Sequence, residues 1–169
     1  MGIQAKNPNE DDEDVETSFS GQPIDEAFDG GLDAAVLTDV DHIAMVVEDL
    51  DEAIAEHRDT FGVLVEHREE FHEDGYEVAF LVVGGSTIQL ISPTTEASEF
   101  AEFLAEGGPG LHHIGYRVDD CAAAIAALTA SGREVLDDEP VPGPRASQVA
   151  YLHPDPAVGV LVQLVERPR

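Results

Sequence analysis

The sequence predicts an α+β domain made of two copies of one β-α-β-β-β unit, and three observations lead there. The same order of strand-like and helix-like segments occurs twice between residues 39 and 166. Each round places an apolar strand before an Asp-capped helix that stops at glycine, Asp49 to Gly62 and Asp120 to Gly132. A displacement of 71 positions lays His42-Ile43 on His113-Ile114, Ala53-Ile54 on Ala124-Ile125, and Val78-Ala-Phe-Leu81 on Val149-Ala-Tyr-Leu152. A displacement of 74 lays Ile88-Gln-Leu90 on Val162-Gln-Leu164. Four matches in order mark an internal repeat, and the three extra residues are a loop difference.

Residues 1–38 are rich in Asp, Glu, Gly, Asn and Ser and cannot bury enough apolar surface to fold alone, so they are expected to form a mostly disordered acidic extension. The domain is 39–169, with repeats 39–92 and 110–166. Val40–Val47 reads as the first strand. Asp49 with Glu52 has capping-box spacing, and Leu50, Ala53, Ile54, His57 and Phe61 fall on one helical face. After Gly62 a strand runs through Val63–Glu69. The turn Glu73-Asp74-Gly75 leads into a strand at Glu77–Val83, and Gly84-Gly85 turns the chain into Thr87–Ile91. Residues 96–106 read as a short helix, followed by the linker Gly107-Gly108-Pro109-Gly110. The second round gives a strand at His112–Val118 and a helix with Cys121, Ala124, Ile125 and Leu128 inward. Its remaining strands are expected near 133–137, 147–152 and 159–165.

The repeats put metal-capable side chains at matching places, His42 and His113 on the first strands and Gln89 and Gln163 on the last. Taken singly, a strand His or Gln is a structural residue; their paired recurrence reverses that reading. A buried amide or imidazole without a partner costs about 1–3 kcal/mol. A divalent ion where a pseudo-twofold brings the four together would satisfy them all. Imidazole nitrogens and amide oxygens suit Co²⁺, Mn²⁺, Ni²⁺, Zn²⁺ or Fe²⁺. His112 has the opposite strand parity to His113 and is expected outside the site. His57 is expected in the core, and His67 and His72 in solvent.

At these residues the chain resembles the vicinal oxygen chelate superfamily and, within it, the methylmalonyl-CoA epimerases. The segments that show it are Asp41-His-Ile, Gly75 through Phe80, Gly110 through Asp120, Glu139-Pro-Val-Pro-Gly143, Val149 through Pro154, and Gly159 through Val165. The resemblance implies a curved mixed sheet of two half-barrels, a metal on His42, Gln89, His113 and Gln163, and a homodimer. It also implies an acyl-CoA substrate, a 2-methyl malonyl thioester whose C2 is inverted by proton removal and return through a metal-stabilised enolate. Epimerases of this type carry Glu at the position of Gln163, and some carry a second carboxylate at that of Val78. An amide can coordinate but cannot carry the proton, so the expected catalytic pair is Gln163 as ligand and Glu77, reaching the site by a bulge, as base. Arg117 and Arg145 are the expected contacts for coenzyme A phosphates or the substrate carboxylate. The alternatives on the same fold are a glyoxalase-type lyase or dioxygenase, which would normally need a carboxylate ligand, and a non-catalytic small-molecule binder.

Charge bounds the rest. Eight Lys and Arg stand against 36 Asp and Glu, a net charge of −28. Repulsion on that scale disfavours nucleic acid and anionic membrane as partners. No run approaches a membrane span or an apolar signal region, and the lone Cys121 excludes an internal disulfide, so the cytoplasm is expected. Acids cover the helices predicted after Asp49 and over 96–106 as well as the extension, which points to a halophilic cytosol, where molar salt shortens screening to about 3 Å. Thermal unfolding followed by circular dichroism should therefore move to higher temperature as KCl rises towards molar. An unchanged melting point would assign the acidity to another cause.

Overall fold

Asp49 Oδ1 accepts the Glu52 N–H and Asp120 Oδ1 the Ala123 N–H, both at 2.8 Å, satisfying donors that the first helical turn leaves open. The computed structural model describes residues 37–153 and 159–168. In chain order the elements are β1 (Asp39–Val46), α1 (Leu50–Phe61), β2 (Val65–Phe71), β3 (Tyr76–Val83) and β4 (Ser86–Pro93). There follow α2 (Glu99–Gly107), β5 (Gly110–Arg117), α3 (Cys121–Ala130), β6 (Val141–Gly143), β7 (Ser147–Leu152) and β8 (Leu161–Glu166). The acidic extension expected over 1–38 lies, except for Leu37 and Thr38, outside the described residues. Among the described residues no helix is long and apolar enough to cross a membrane.

All eight strands form one mixed sheet in the order β2-β3-β4-β1-β5-β8-β7-β6. Each repeat supplies four neighbouring strands, and the sheet curves as the paired half-barrels that the sequence predicts. The halves join where β1 runs antiparallel to β5 with Ile43 opposite Ile114, and each of these strands pairs in parallel with the last strand of its own repeat. Period-two alternation divides the core between the two faces. Val78 and Phe80 of β3 join Ala44, Val46, Ile91 and Phe100 on the inner face. Ala79 and Leu81 lie with Leu90 beneath Leu50 of α1. In the second half α3 covers Ala150 and Leu164 with Cys121, Ala124 and Ile125.

The strand expected near 133–137 is reduced to a single bridge, Val135 to Leu152, and β6 starts later, at Val141. Its neighbours explain the shift. The Asp137 carboxylate takes the Tyr151 N–H at 2.7 Å, and Pro140, Pro142 and Pro144 have no N–H to extend a ladder. The helix expected over 96–106 begins at Glu99, because the Ser98 hydroxyl caps it.

Gly75 is held by two constraints. Its φ is +69°, and a Cβ there would lie 2.1 Å from the Thr95 hydroxyl oxygen. Gly62, at the end of α1, has nearly the same φ, +68°, with nothing within 4 Å. Gly75→Ala should therefore cost more than Gly62→Ala, which meets only the backbone penalty of about 1 kcal/mol. The expected loss at Gly75 is about 2–3 kcal/mol, read by urea unfolding in high salt. Equal losses would show that Thr95 moves aside freely.

Candidate active site

Four adjacent central strands, β4-β1-β5-β8, each deliver one of the expected ligands, and all four side chains are at least nine-tenths buried. Their register sets two parallel rows across the sheet. One runs Gln89, Ala44, His113, and the other His42, Gly115, Gln163. Each row thus holds one imidazole and one amide on either side of a small residue. The smallness has a cause: a Cβ on Gly115 would stand 2.4 Å from His42 Cε1 and 2.6 Å from its Nδ1. The His42 ring lies in the space that glycine leaves.

Both histidines are oriented from behind. β1 and β5 each carry a register shift, one leaving Asp41 without a partner and the other leaving His112 without one. Such bulges turn a side chain out of strict alternation. Asp41 and His112 therefore reach the rings that follow them. His42 Nδ1 donates to Asp41 Oδ1 at 2.9 Å, and His112 Nδ1 lies 2.8 Å from His113 Nδ1. Because a carboxylate only accepts, His42 holds its proton on Nδ1 and offers a lone pair at Nε2. That atom faces His113 Nε2 at 3.1 Å. His112, expected outside the site, is instead wedged between Phe100 and Phe103 and bears directly on His113.

The electrostatics follow from burial. Burial, reinforced electrostatically by the neighbouring His42 and His112 imidazoles and opposed by a hydrogen bond to the Gln163 amide, holds His113 well below the usual histidine range. Burial alone would raise Asp41, but hydrogen bonds from His42, Arg167 and Arg117 and the Arg167 charge keep it far below the carboxylate range. The Gln163 amide also hydrogen-bonds the Tyr151 hydroxyl, whose acidity burial strongly suppresses. Glu99 is raised by burial and by Asp74 and Asp137.

Over this floor opens a cavity of about 840 Å³, whose wall includes Gln89, His113, Gln163, Tyr76, Tyr151 and Phe100 together with the carboxylates Glu73, Asp74 and Glu99. Among the described residues no Lys or Arg lines it. Arg117 and Arg145, expected to bind the ligand, are engaged elsewhere. Arg117 donates to Asp41 at 2.9 Å, while Arg145 lies over the Phe80 ring and 3.4 Å from Glu66. Glu77 lies opposite Ser92 in an undisturbed stretch of ladder and pairs with Arg68 at 2.7 Å, with no bulge to turn it inward. Val78 occupies the inner face instead. Asp41, Arg167, His112, Gly115 and Tyr151 are the contributors that sequence reasoning missed.

A divalent ion fits this donor set on one observation: Gln89 Oε1 is buried and has no hydrogen-bond partner. An amide oxygen left so costs about 1–3 kcal/mol, and a cation beside it would remove that cost. Among the described residues no three His, Cys, Asp or Glu gather as metal ligands, so an ion here depends on the two amides as well as the two imidazoles.

The close approach of Gly115 to His42 can be tested against Gly110 on the same strand, where a Cβ would meet nothing within 4 Å. Gly115→Ala should destabilise by about 1–3 kcal/mol through overpacking, and Gly110→Ala by less than about 1 kcal/mol. Equal urea-unfolding midpoints for the two variants would refute the crowding.

Comparison with known proteins agrees with this geometry. A profile of the Glyoxalase/Bleomycin resistance protein/Dioxygenase superfamily matches residues 41–151. The ethylmalonyl-CoA/methylmalonyl-CoA epimerase of Cereibacter sphaeroides is 36% identical over 127 residues, which cover 74% of this chain and 95% of that protein. The crystal structure of methylmalonyl-CoA epimerase from Mycobacterium tuberculosis superposes with a TM-score of 0.75 at 34% identity, covering 82% of this chain and 93% of that one. A Streptomyces coelicolor methylmalonyl-CoA epimerase variant in complex with 2-nitronate-propionyl-CoA gives 0.73 at 38% identity, covering 78% and 95%. With its repeats, its sheet order and its relatives all in accord, the chain belongs to the methylmalonyl-CoA epimerase family of the Glyoxalase/Bleomycin resistance protein/Dioxygenase superfamily.

Proposed function

We propose that the chain epimerises methylmalonyl-CoA, or a close 2-methyl acyl-CoA, by moving a proton off and back onto C2. The observation that supports this most directly is the convergence of two His–Gln rows on one buried floor beneath a cavity of about 840 Å³. That volume lies within the range of small-molecule sites. His42, Gln89, His113 and Gln163 would hold a divalent ion, which supplies Lewis-acid stabilisation for charge developing on a carbonyl oxygen. Asp41 and His112 fix the rings, so little reorganisation is needed as that charge appears. Val78 and Phe100, with Phe103 packed against them, make the inner side apolar.

The protons need carriers, and Gln163 cannot be one. Tyr151, hydrogen-bonded to Gln163, is the protic group tied to the floor, and Glu99, with its raised carboxyl, stands in the cavity wall. A second reading, a non-catalytic binder of the same ligand, is favoured by a floor whose four converging residues, His42, Gln89, His113 and Gln163, include no carboxylate. The relatives that act on or bind acyl-CoA support the substrate class, and a homodimer in a cytoplasm of high salt is the setting we propose for a chain of net charge −28.

Incubation with methylmalonyl-CoA in deuterated, high-salt buffer tests the reading. Wild type should exchange C2 hydrogen detectably. Gln163→Glu, which places a carboxylate beside C2, should exchange faster, within the roughly 10²–10⁴-fold that a positioned general base contributes. If neither form exchanges while both bind Co²⁺, the epimerase reading fails and the binding reading takes its place.

A further inference from the structure

The two repeats build the same cross-strand pair twice, and only one copy carries a hydroxyl. Between β3 and β4 Phe80 lies opposite Gln89, and between β7 and β8 Tyr151 lies opposite Gln163. Directly opposed residues of an antiparallel ladder share a face, so each ring stands beside its amide. Beside Phe80, the Gln89 Oε1 is buried without a hydrogen-bond partner. Beside Tyr151, the Gln163 amide is bonded to the phenolic oxygen and to His113. Tyr151 and Gln163 both line the cavity, and the Tyr151 ring stands edge-on to that of His113, with 5.3 Å between centroids.

A carboxamide presents an acceptor at one end and two donors at the other, and the two ends have nearly the same shape. Packing alone therefore does not choose between them; hydrogen bonds do. At Gln163 the choice is made from both sides. The His113 ring N–H needs an acceptor and takes the amide oxygen, and the phenolic oxygen of Tyr151 accepts from the amide nitrogen. We propose that Tyr151 is the positioning residue for Gln163: by taking its amide N–H, the Tyr151 hydroxyl turns the amide oxygen towards the two imidazoles of the floor. The inference rests on the proposed reading of Gln163 as a ligand, which requires that oxygen, because an amide nitrogen offers only N–H donors. Without the hydroxyl the amide is free to turn its NH₂ end to the floor, where it would repel a cation. Phe80 gives Gln89 no such partner, so the two amides of the floor are held unequally.

Tyr151→Phe keeps the ring and removes only the hydroxyl, and Phe already fills the matching place of the first repeat. Co²⁺ retention is measured by equilibrium dialysis of the full chain in molar KCl for wild type, Tyr151→Phe, Gln163→Glu and the double variant, with His42→Ala as the blank. Tyr151→Phe should weaken retention by about 10- to 100-fold, the usual cost of losing a partner that orients a metal ligand. In the Gln163→Glu background the same change should cost less than about threefold, because a carboxylate shows an oxygen whichever way it turns. Equal losses in the two backgrounds would show that Tyr151 only packs. No loss in the Gln163 chain would show that the amide is held by other means, and either result overturns the inference. NMR of the metal-free protein gives a reading that needs no ion. A Gln163 side-chain N–H, assigned by its disappearance in Gln163→Glu, should exchange with solvent deuterium severalfold more slowly in wild type than in Tyr151→Phe. Equal exchange overturns the inference as well. If no protein retains Co²⁺ but the exchange rates differ, the metal reading falls and the orientation of Gln163 by Tyr151 stands.

Discussion

The antiparallel ladder between β1 and β5 is the constraint on which the site depends. It fixes Ile43 opposite Ile114, and from that one pairing the rest follows by register: His42 falls across from Gly115 and His113 across from Ala44. A slip of one residue would turn both histidines to the helix-covered face. The two bulges complete the arrangement. Each lies just before one of the two floor histidines, and each brings the preceding side chain against that ring's Nδ1. Pseudo-symmetry therefore extends beyond the four floor residues to the way their rings are held.

The symmetry stops at the chemistry of the bulged residues. Asp41 is an anion, and His112 is an imidazole whose burial holds it below its ordinary range. In a chain with eight Lys and Arg in total, two guanidiniums converge on the buried carboxylate of Asp41. Removing one partner of such a cluster leaves a buried charge exposed to the full desolvation cost. Arg167 also donates to the Pro144 carbonyl, so the same cluster ties the segment after β8 to the turn before β7. Across the cup, the backbone N–H of Arg145 donates to Glu69 on β2, linking the two half-barrels at a second place.

Much of this was legible in the residues. The repeat could be read because apolar alternation and four ordered matches recur, and the fold class follows from the repeat. His42, His113, Gln89 and Gln163 could be picked out because a polar residue between apolar neighbours appears twice in the same place, and the structure brings these four together. What parity could not deliver is what bulges alter. Counting in twos assigned His112 to the far face and Arg117 to the ligand, whereas the extra residues at 112 and 41 bring both His112 and Asp41 round to the histidines, with Arg117 drawn to Asp41. Glu77 shows the converse, since its ladder is regular and alternation alone keeps it outside. Gly115 did carry a signal: it lies two residues beyond His113 just as Ala44 lies two beyond His42, and only small side chains leave room for a ring from the neighbouring strand. The later start of β6 was hidden by Asp137, whose carboxylate competes for a backbone N–H that strand pairing would otherwise take.

The mixed parentage of the two rows has a kinetic meaning. Each row combines residues from both repeats, so neither half, however well folded, contains a complete one. Bringing His42 and His113 together closes a separation of 71 residues, at a loop-closure cost of about 4 kcal/mol beyond the constant term. Contacts so distant along the chain form slowly compared with hairpins and helices. The floor is consequently among the last parts of the domain to be assembled, and the nearness of the two imidazoles reports that the halves have docked.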